Sequence, residues 1–523
     1  MSAGRSRADG AGSVRVKSLL GLLIVLLVAC LVYLPRLGAD GLVDTEGHRA
    51  IPAWSMLESG DYVVPRLFEQ AYLRKPPGIQ WSIAASSAVF GQTELAARLP
   101  SAIASILGVG VTFLFAARWF GPRWAIGAGL AHALMPWLWQ AGRSAEIEAL
   151  NNLGAQIALL AIVDLVVCQR VRPHALAARV SMFHIAILGV AIAALAKGPA
   201  SLPCFAGALL GCAVAMRGQR PIFRTLISPW PWIALALGAI PLGVWMWLVQ
   251  ARLDQTGETA IVQSADAFLW EPGRLVGIVL LAPTAFIAAL PASLGVLFPF
   301  GPDARREAVT SQDSDESSAE LRIARALAWS FVLSLVIFTL LGVGNVRYAM
   351  PAACLSPPLA AYVLRGVRSA SFFPKRIAIA RIMLLGRAEV LLTVLLIAAG
   401  VWIFAVEPKR DARSGRAAGI RTGESIASHV LASEGASTRV LADHLVEARP
   451  EVLWYAAERA GDLGVRVETV WTPGLAGLLD SLSSDALYAL RQDSGEWTDD
   501  LDLSPIHTDA VHVFEFGVWT PLR

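Results

Sequence analysis

Residues 19–34 read LLGLLIVLLVACLVYL, and residues 43–47 just beyond them read VDTEG. The first stretch is continuous apolar sequence close to the roughly 20 residues that a helix needs to cross a bilayer. Arg5, Arg7, Arg15 and Lys17 precede it, and no small-residue cleavage pattern follows. This pattern predicts an uncleaved first helix with its N-terminus inside. The second stretch then falls just past the first crossing, so an acidic group, Asp44 and Glu46, stands at the opposite membrane face.

Working outward, the same apolar habit recurs along the chain. Of 523 residues, 55% are hydrophobic and only 16% are charged; the mean hydropathy is +0.55. A soluble chain would carry about 25% charge, so the composition predicts a polytopic, all-α membrane protein. About eleven spans are expected, near 18–35, 98–117, 124–141, 149–168, 180–196, 199–216, 228–250, 275–299, 323–344, 346–365 and 388–406. The net charge of +3 decides little, because membrane proteins sort charge by side.

That sorting tests the count. With the N-terminus inside, Arg118, Arg123, Arg170, Arg172, Arg179, Arg217, Arg220, Arg224, Arg365, Arg368, Lys375 and Arg376 fall in cytoplasmic segments. The opposite segments are acidic or mixed, as the positive-inside rule requires. Asp44, Glu46, Lys75, Arg143, Glu146, Glu148, Lys197 and Arg347 all land on the non-cytoplasmic face, although none of them entered the count. The chain divides into an N-terminal tail (1–17), a transmembrane region (18–406, with a first external loop over 36–97) and a C-terminal region (407–523). The last is charge-rich and alternates short β-type runs (439–441, 465–470, 486–490, 511–516) with helical ones (451–460, 475–482). It reads as a small extracytoplasmic α/β domain.

Each charged residue also has a bland reading. Asp44 and Glu46 could be solvated loop carboxylates. Lys75, before Pro76 and Pro77, and Lys197, at the end of an apolar run, could snorkel to the headgroups. Arg143, Glu146 and Glu148 could pair among themselves in a short turn, and Arg347 could anchor a tight loop. The five cysteines lack metal-ligand spacing and read as small packing residues.

The ordered combination of motifs is more specific. Glu46-Gly47-His48-Arg49-Ala50 is followed by 56–66 (MLESGDYVVPR), 72–81 (YLRKPPGIQW), Phe90-Gly91 and 97–101 (ARLPS). This order resembles membrane glycosyltransferases related to protein O-mannosyltransferases and to lipid A aminoarabinose transferase. The likeness is strong over 44–101 and fair to about residue 200. It implies a glycosyltransferase C (GT-C) fold with about 11–13 transmembrane helices, and a sugar donor linked to polyprenyl phosphate. The acceptor would be a hydroxyl of a lipid, protein or glycan at the outer face of the cell (inner or plasma) membrane.

The family's early acidic motif is an adjacent Asp-Glu pair. Register places it on Thr45-Glu46, with Asp44 one step early, so the resemblance implies a base at Asp44 or Glu46 without separating them. It implies a second acidic position at Glu148, and donor-phosphate contacts from Lys75 and Lys197, with Arg143 and Arg347 nearby. Some relatives have an acidic metal ligand before the lysine of the Lys-Pro-Pro motif. Here that residue is Arg74, so no divalent metal or other cofactor is expected. Membrane lipids are expected partners and nucleic acid is not. Two other readings stay open: a transporter or flippase of a lipid-linked substrate, and an inactive relative with a binding role. A transporter would spread charges toward the midplane and show internal repeats; this sequence gathers them at one face.

Overall fold

The structure is a computed structural model that describes residues 2–43, 45–68, 70–171, 176–218, 221–258, 260–262, 275–300, 315–368, 393–406, 416–432, 437–442, 450–471, 488–491, 512–515 and 518–521. Asp44, the helical run expected over 475–482 and the basic segment 369–392 lie outside the described residues.

The transmembrane region is helical. Its elements are α1 (Ser2–Tyr33), α4 (Glu94–Phe120), α5 (Pro122–Ala133), α6 (Pro136–Gly142), α7 (Ile147–Val171), α8 (Leu176–Lys197), α9 (Leu202–Ala215), α10 (Ile222–Leu226), α11 (Pro229–Thr256), α12 (Leu275–Ala288), α13 (Asp315–Leu340), α14 (Met350–Ala353) and α15 (Pro357–Arg368). Among the described residues six helices are long and apolar enough to cross a membrane, or seven if the pair Val276–Ala288 and Ala292–Phe300, bent by 97°, forms one span. The chain is a multi-pass membrane protein.

Several of the expected spans are broken, for reasons local to their sequence. The stretch 124–141 is two helices, because Pro136 opens α6 and a proline can neither donate to the preceding turn nor fit inside it. The stretch 346–365 begins as a 3₁₀ turn, Val346–Ala349. Val180–Ala215 is apolar over 36 residues, a length of about 54 Å as one helix and nearly twice the hydrocarbon core. It breaks at Gly198, whose φ is +62°, a region that favours glycine.

Burial shows which helix is central. The apolar window of α7 is 83% buried, against 22% for the segment that contains α11. The α7 helix packs against α8, α4, α13 and α9. On α11, residues such as Ile240, Val244 and Trp247 point outward, as expected of a lipid-facing surface. The first turn of α7 is therefore held in the middle of the bundle.

Over one end of the bundle lies a cap. It comprises α2 (Gly47–Ser59), strands β1 (Arg66–Leu67) and β2 (Gln70–Leu73), α3 (Gly78–Phe90) and β3 (Ala260–Val262). The β1 strand pairs antiparallel with β2 and β2 pairs parallel with β3, so two loops far apart in sequence share one small sheet. The Trp245 indole donates to the Val63 carbonyl at 2.9 Å, and Arg66 pairs with Glu258 at 2.9 Å.

The C-terminal region has helices α16 (Arg416–Ala432) and α17 (Pro450–Asp462), and strands β4 (Ser437–Ala442), β5 (Arg466–Trp471), β6 (Tyr488–Arg491), β7 (His512–Glu515) and β8 (Val518–Pro521). The sheet order is β5-β4-β6-β7-β8. Its first four strands are parallel, and β8 closes it antiparallel to β7. Strands alternating with helices give this α/β layering.

Candidate functional site

The first turn of α7 and the last residue of α8 meet at one end of the bundle. Lys197 Nζ donates to Glu148 Oε1 at 3.0 Å, with both side chains under 10% exposed. The ammonium also sits 4.5 Å from the centre of the Tyr348 ring, a cation–π contact. Ser201 donates to the Asn151 side-chain oxygen at 2.9 Å, fixing the turn beyond Lys197. Arg347 projects from the adjoining 3₁₀ turn, whose start is held by its own backbone N–H donating to the Asn345 side chain at 3.0 Å. Its charge reaches Glu148. The other oxygen of Glu148, Oε2, has no hydrogen-bond partner among the described residues. A buried carboxylate with an open lone pair is a group held ready for something else.

Lys75 arrives from the cap. Pro76 and Pro77 lead into α3, and Gly78 brings that helix against the end of α8: a Cβ at this position would lie 2.7 Å from the Leu195 carbonyl oxygen. Only glycine permits this approach. The Lys75 ammonium consequently feels Arg49, Lys197 and Glu148. Its pKa is lowered to about 8, first by burial and then by repulsion from Arg49 and Lys197. Lys75, Lys197, Arg49 and Arg347 thus surround Glu148 with more positive than negative charge.

Two of the expected site residues take other roles. Glu46 is 1% exposed and is enclosed by donors. Arg98 gives it two bonds, Nε to Oε1 at 2.9 Å and Nη2 to Oε2 at 2.7 Å. The backbone N–H of Val43 adds a third at 2.9 Å and that of Ala145 a fourth at 2.8 Å. A carboxylate offers about four acceptor sites, and these four donors fill those of Glu46. Arg98 also donates to the carbonyls of Leu37, Asp40 and Gly41, locking the chain between α1 and α2. Arg143, expected near the donor phosphate, is 1% exposed. It donates to the carbonyls of Val32, Tyr33 and Pro35 at 3.1, 3.2 and 2.7 Å. These are carbonyls at and just past the end of α1, where helical partners run out, so the Arg143 guanidinium faces α1 in this structure.

The structure also gathers residues that sequence reasoning left out of the site. The Thr45 hydroxyl donates to Glu146 Oε1. Arg49 Nε lies 4.0 Å from Glu146 Oε2, and Arg49 Nη1 reaches the Tyr72 hydroxyl at 3.4 Å. The Glu146 pKa is raised, burial being the largest cause, with Arg49 opposing it and Glu148 adding to it. Glu146 lay in the short external turn of the sequence, and ion pairing was its bland reading. Its pairing with the loop at Thr45 links positions about a hundred residues apart, which spacing does not reveal.

The C-terminal region docks on the cap. Trp54 and Trp454 pack with ring centroids 4.5 Å apart. The Tyr455 hydroxyl accepts from the Leu42 N–H at 2.8 Å and donates to Glu94 Oε1 at 2.9 Å. Arg416 adds an ion pair to Glu94 at 3.6 Å. Helix α17 therefore presses on α2 next to the loop that carries Thr45 and Glu46.

Comparison with known proteins agrees with this layout. Residues 74–247 match the family model for dolichyl-phosphate-mannose-protein mannosyltransferase. One relative is the undecaprenyl phosphate-alpha-4-amino-4-deoxy-L-arabinose arabinosyl transferase of Pseudomonas savastanoi pv. phaseolicola (strain 1448A / Race 6). It is 35% identical over 109 residues, 20% of each chain. A second transferase of that name, from Pseudomonas fluorescens (strain Pf0-1), is 38% identical over 102 residues, 19% of each chain. The match thus spans about a fifth of the length of these curated relatives. The crystal structure of ArnT from Cupriavidus metallidurans bound to undecaprenyl phosphate superposes with a TM-score of 0.54 at 18% identity, covering 88% of this chain and 95% of that one. At that identity the likeness establishes the fold, and the resemblance read from residues 44–101 stands.

Proposed function

We propose that this chain is an integral-membrane glycosyltransferase that moves a sugar from a polyprenyl-phosphate donor to a hydroxyl of a lipid, protein or glycan at the extracytoplasmic face. One observation carries the reading: Lys75 and Lys197 come from segments more than a hundred residues apart and converge on Glu148, with Arg49 and Arg347 beside them. A local excess of cations, of which Arg49 and Lys197 are buried, costs free energy unless an anion visits. A phosphate anchored in the membrane by an apolar chain is an anion that reaches this depth. The names of the relatives, which act on undecaprenyl phosphate derivatives, point to the same donor class.

The chemistry follows from placement. As the bond from the sugar C1 to phosphate oxygen lengthens, negative charge grows on the phosphate. Lys75 and Lys197 lower that charge's energy, and a site shielded from water strengthens the effect. Arg347 suits the phosphate oxygens by its bidentate geometry. Attack by the acceptor hydroxyl from the opposite side inverts the anomeric carbon. Two lysines suffice for a monophosphate, and Arg74 would repel a cation at the place where some relatives put a metal-binding carboxylate. Turnover is therefore expected to persist in EDTA. The positive-inside bias of the basic segments supports a cytoplasmic N-terminus and an extracytoplasmic region 407–523 for a protein of the cell membrane.

The test is lipid mass spectrometry on the purified protein, beside a Lys75→Ala, Lys197→Ala variant. Wild type should retain a polyprenyl phosphate, with or without a sugar, and the variant should lose it. If wild type retains none and undecaprenyl phosphate produces no thermal shift, the donor assignment fails.

A further inference from the structure

We propose that Glu146 is the general base that takes the proton of the acceptor hydroxyl, standing in space where the early acidic motif of this chain lacks a carboxylate. The proposal rests on the transferase reading above and assigns the one role that reading left open.

Three observations lead to it. First, register places the Asp of the family's Asp-Glu pair on Thr45, and a threonine hydroxyl cannot accept and keep a proton at neutral pH. Second, the Thr45 hydroxyl donates to Glu146 Oε1, so a carboxylate from the turn before α7 occupies the neighbourhood that residue 45 leaves empty. Third, the other described carboxylates of the cluster are placed for other tasks. Glu46 accepts four hydrogen bonds, and Glu148 binds Lys197 through Oε1 and keeps its open Oε2 among the cations that would meet the donor phosphate. Glu146 differs from both: its side chain is 12% exposed, and it lies beside Thr45, which is exposed. It can be reached from the aqueous side, where an acceptor arrives.

The electrostatics suit the task. Arg49 at 4.0 Å favours the ionised form, while burial and the neighbouring Glu148 disfavour it, and the balance raises the pKa. A carboxylate moved up toward the working pH is a better proton acceptor than one at its ordinary value. In the step, the acceptor oxygen forms a bond to the sugar C1. The bond from C1 to phosphate oxygen breaks, and its electron pair stays on the phosphate held by Lys75 and Lys197. The hydroxyl proton passes to Glu146 and leaves to water past Thr45. The products are the glycosylated acceptor and polyprenyl phosphate. Thr45, whose hydroxyl orients Glu146, is a positioning residue.

The experiment uses the full chain in lipid nanodiscs, with undecaprenyl phosphate as the binding probe. For turnover it uses undecaprenyl-phosphate aminoarabinose and polyprenyl-phosphate mannose as donors, with membranes of the source organism supplying acceptors. Glu146→Gln should lower kcat about 100-fold or more while leaving undecaprenyl phosphate affinity unchanged. Thr45→Asp in the Glu146→Gln background should restore at least a tenth of the wild-type rate, by returning a carboxylate to position 45. Such rescue has no explanation if Glu146 only holds the fold. Infrared spectra should show a protonated carboxyl band that grows in at a higher pH than an ordinary carboxylate's as pH falls and is absent in Glu146→Gln.

Turnover kept in Glu146→Gln but lost in Asp44→Asn would overturn the proposal, as would parallel loss of binding and turnover in Glu146→Gln. If wild type binds undecaprenyl phosphate but transfers neither sugar, the infrared titration decides: Glu146 ionised at every pH down to 5 sinks the idea. Failure of wild type to bind undecaprenyl phosphate at all is instead a failure of the donor reading.

Discussion

Glu46 and Glu148 are both buried carboxylates at one end of the bundle, each beside a cation, yet their surroundings differ in kind. Glu46 meets a forked guanidinium and two backbone N–H groups, and its hydrogen-bonding capacity is full. Glu148 meets one ammonium, keeps an oxygen unpartnered and sits among further positive charges. A saturated carboxylate holds structure; an unsaturated one within excess positive charge is kept for a ligand. Satisfaction, more than burial or charge, separates the two halves of this site.

The largest effect is expected where that comparison is broken on its saturated side. Arg98→Leu leaves Glu46 buried without its cation and three loop carbonyls without a donor. Removing one partner of a buried pair costs about 3–5 kcal/mol, so folded yield in detergent and thermal midpoint should both fall sharply. Glu148→Gln neutralises the partner of buried Lys197 but keeps an oxygen to accept its hydrogen bond and orphans no carbonyl, so its thermal midpoint should fall by much less. Equal losses in the two variants would end the distinction between scaffold and site.

A smaller effect sharpens the unsaturated side through pH. Free lysine keeps its proton to about pH 10.4, but Lys75 is lowered to about 8 by burial and by its cationic neighbours. Below pH 8 it is charged and attracts the donor phosphate; above it the charge is lost. Undecaprenyl phosphate affinity should therefore weaken as pH rises through 8, by about tenfold, the equivalent of 1.4 kcal/mol. Lys75→Arg should flatten the dependence, since a guanidinium stays charged. Affinity that is level across this range in wild type would place Lys75 away from the phosphate.

Much of this was legible in the sequence. Hydropathy gave the membrane class, and Lys75 of the Lys-Pro-Pro motif and Lys197, picked out separately in the sequence, both act on Glu148 in the structure. Strands β4 and β5 and helix α17 fall where their short alternating or helical runs were read. What the sequence does not carry is partners. Nothing in residues 143–148 says that Arg143 turns back to cap α1, or that Glu146 meets Thr45. Both contacts join segments about a hundred residues apart, and only the packing of α4, α6 and α7 brings them together. Glu46 was read as chemistry because its motif is, in the family it resembles. The donors that saturate it come from Arg98, itself inside the quoted ARLPS motif, and from backbone N–H groups, which carry no side-chain signature.

The smallest predicted effect tests whether the saturated half extends into the C-terminal domain. Tyr455 bridges the two: it accepts from Leu42 N–H, four residues before Glu46, and donates to Glu94, four residues before Arg98. Burial and the Glu94 carboxylate raise its pKa well above the ordinary phenol range, so it remains a donor at any working pH. Tyr455→Phe keeps the ring against Trp454 and removes both hydrogen bonds. A buried N–H left unpaired costs about 1–3 kcal/mol, felt first as local opening. Hydrogen exchange at residues 40–47 should quicken by about tenfold or more on that scale, while exchange in α7 stays unchanged. If the loop exchanges at its wild-type rate, the domain rests on the cap through the Trp54–Trp454 contact alone, and the scaffold that holds Glu46 ends at Arg98.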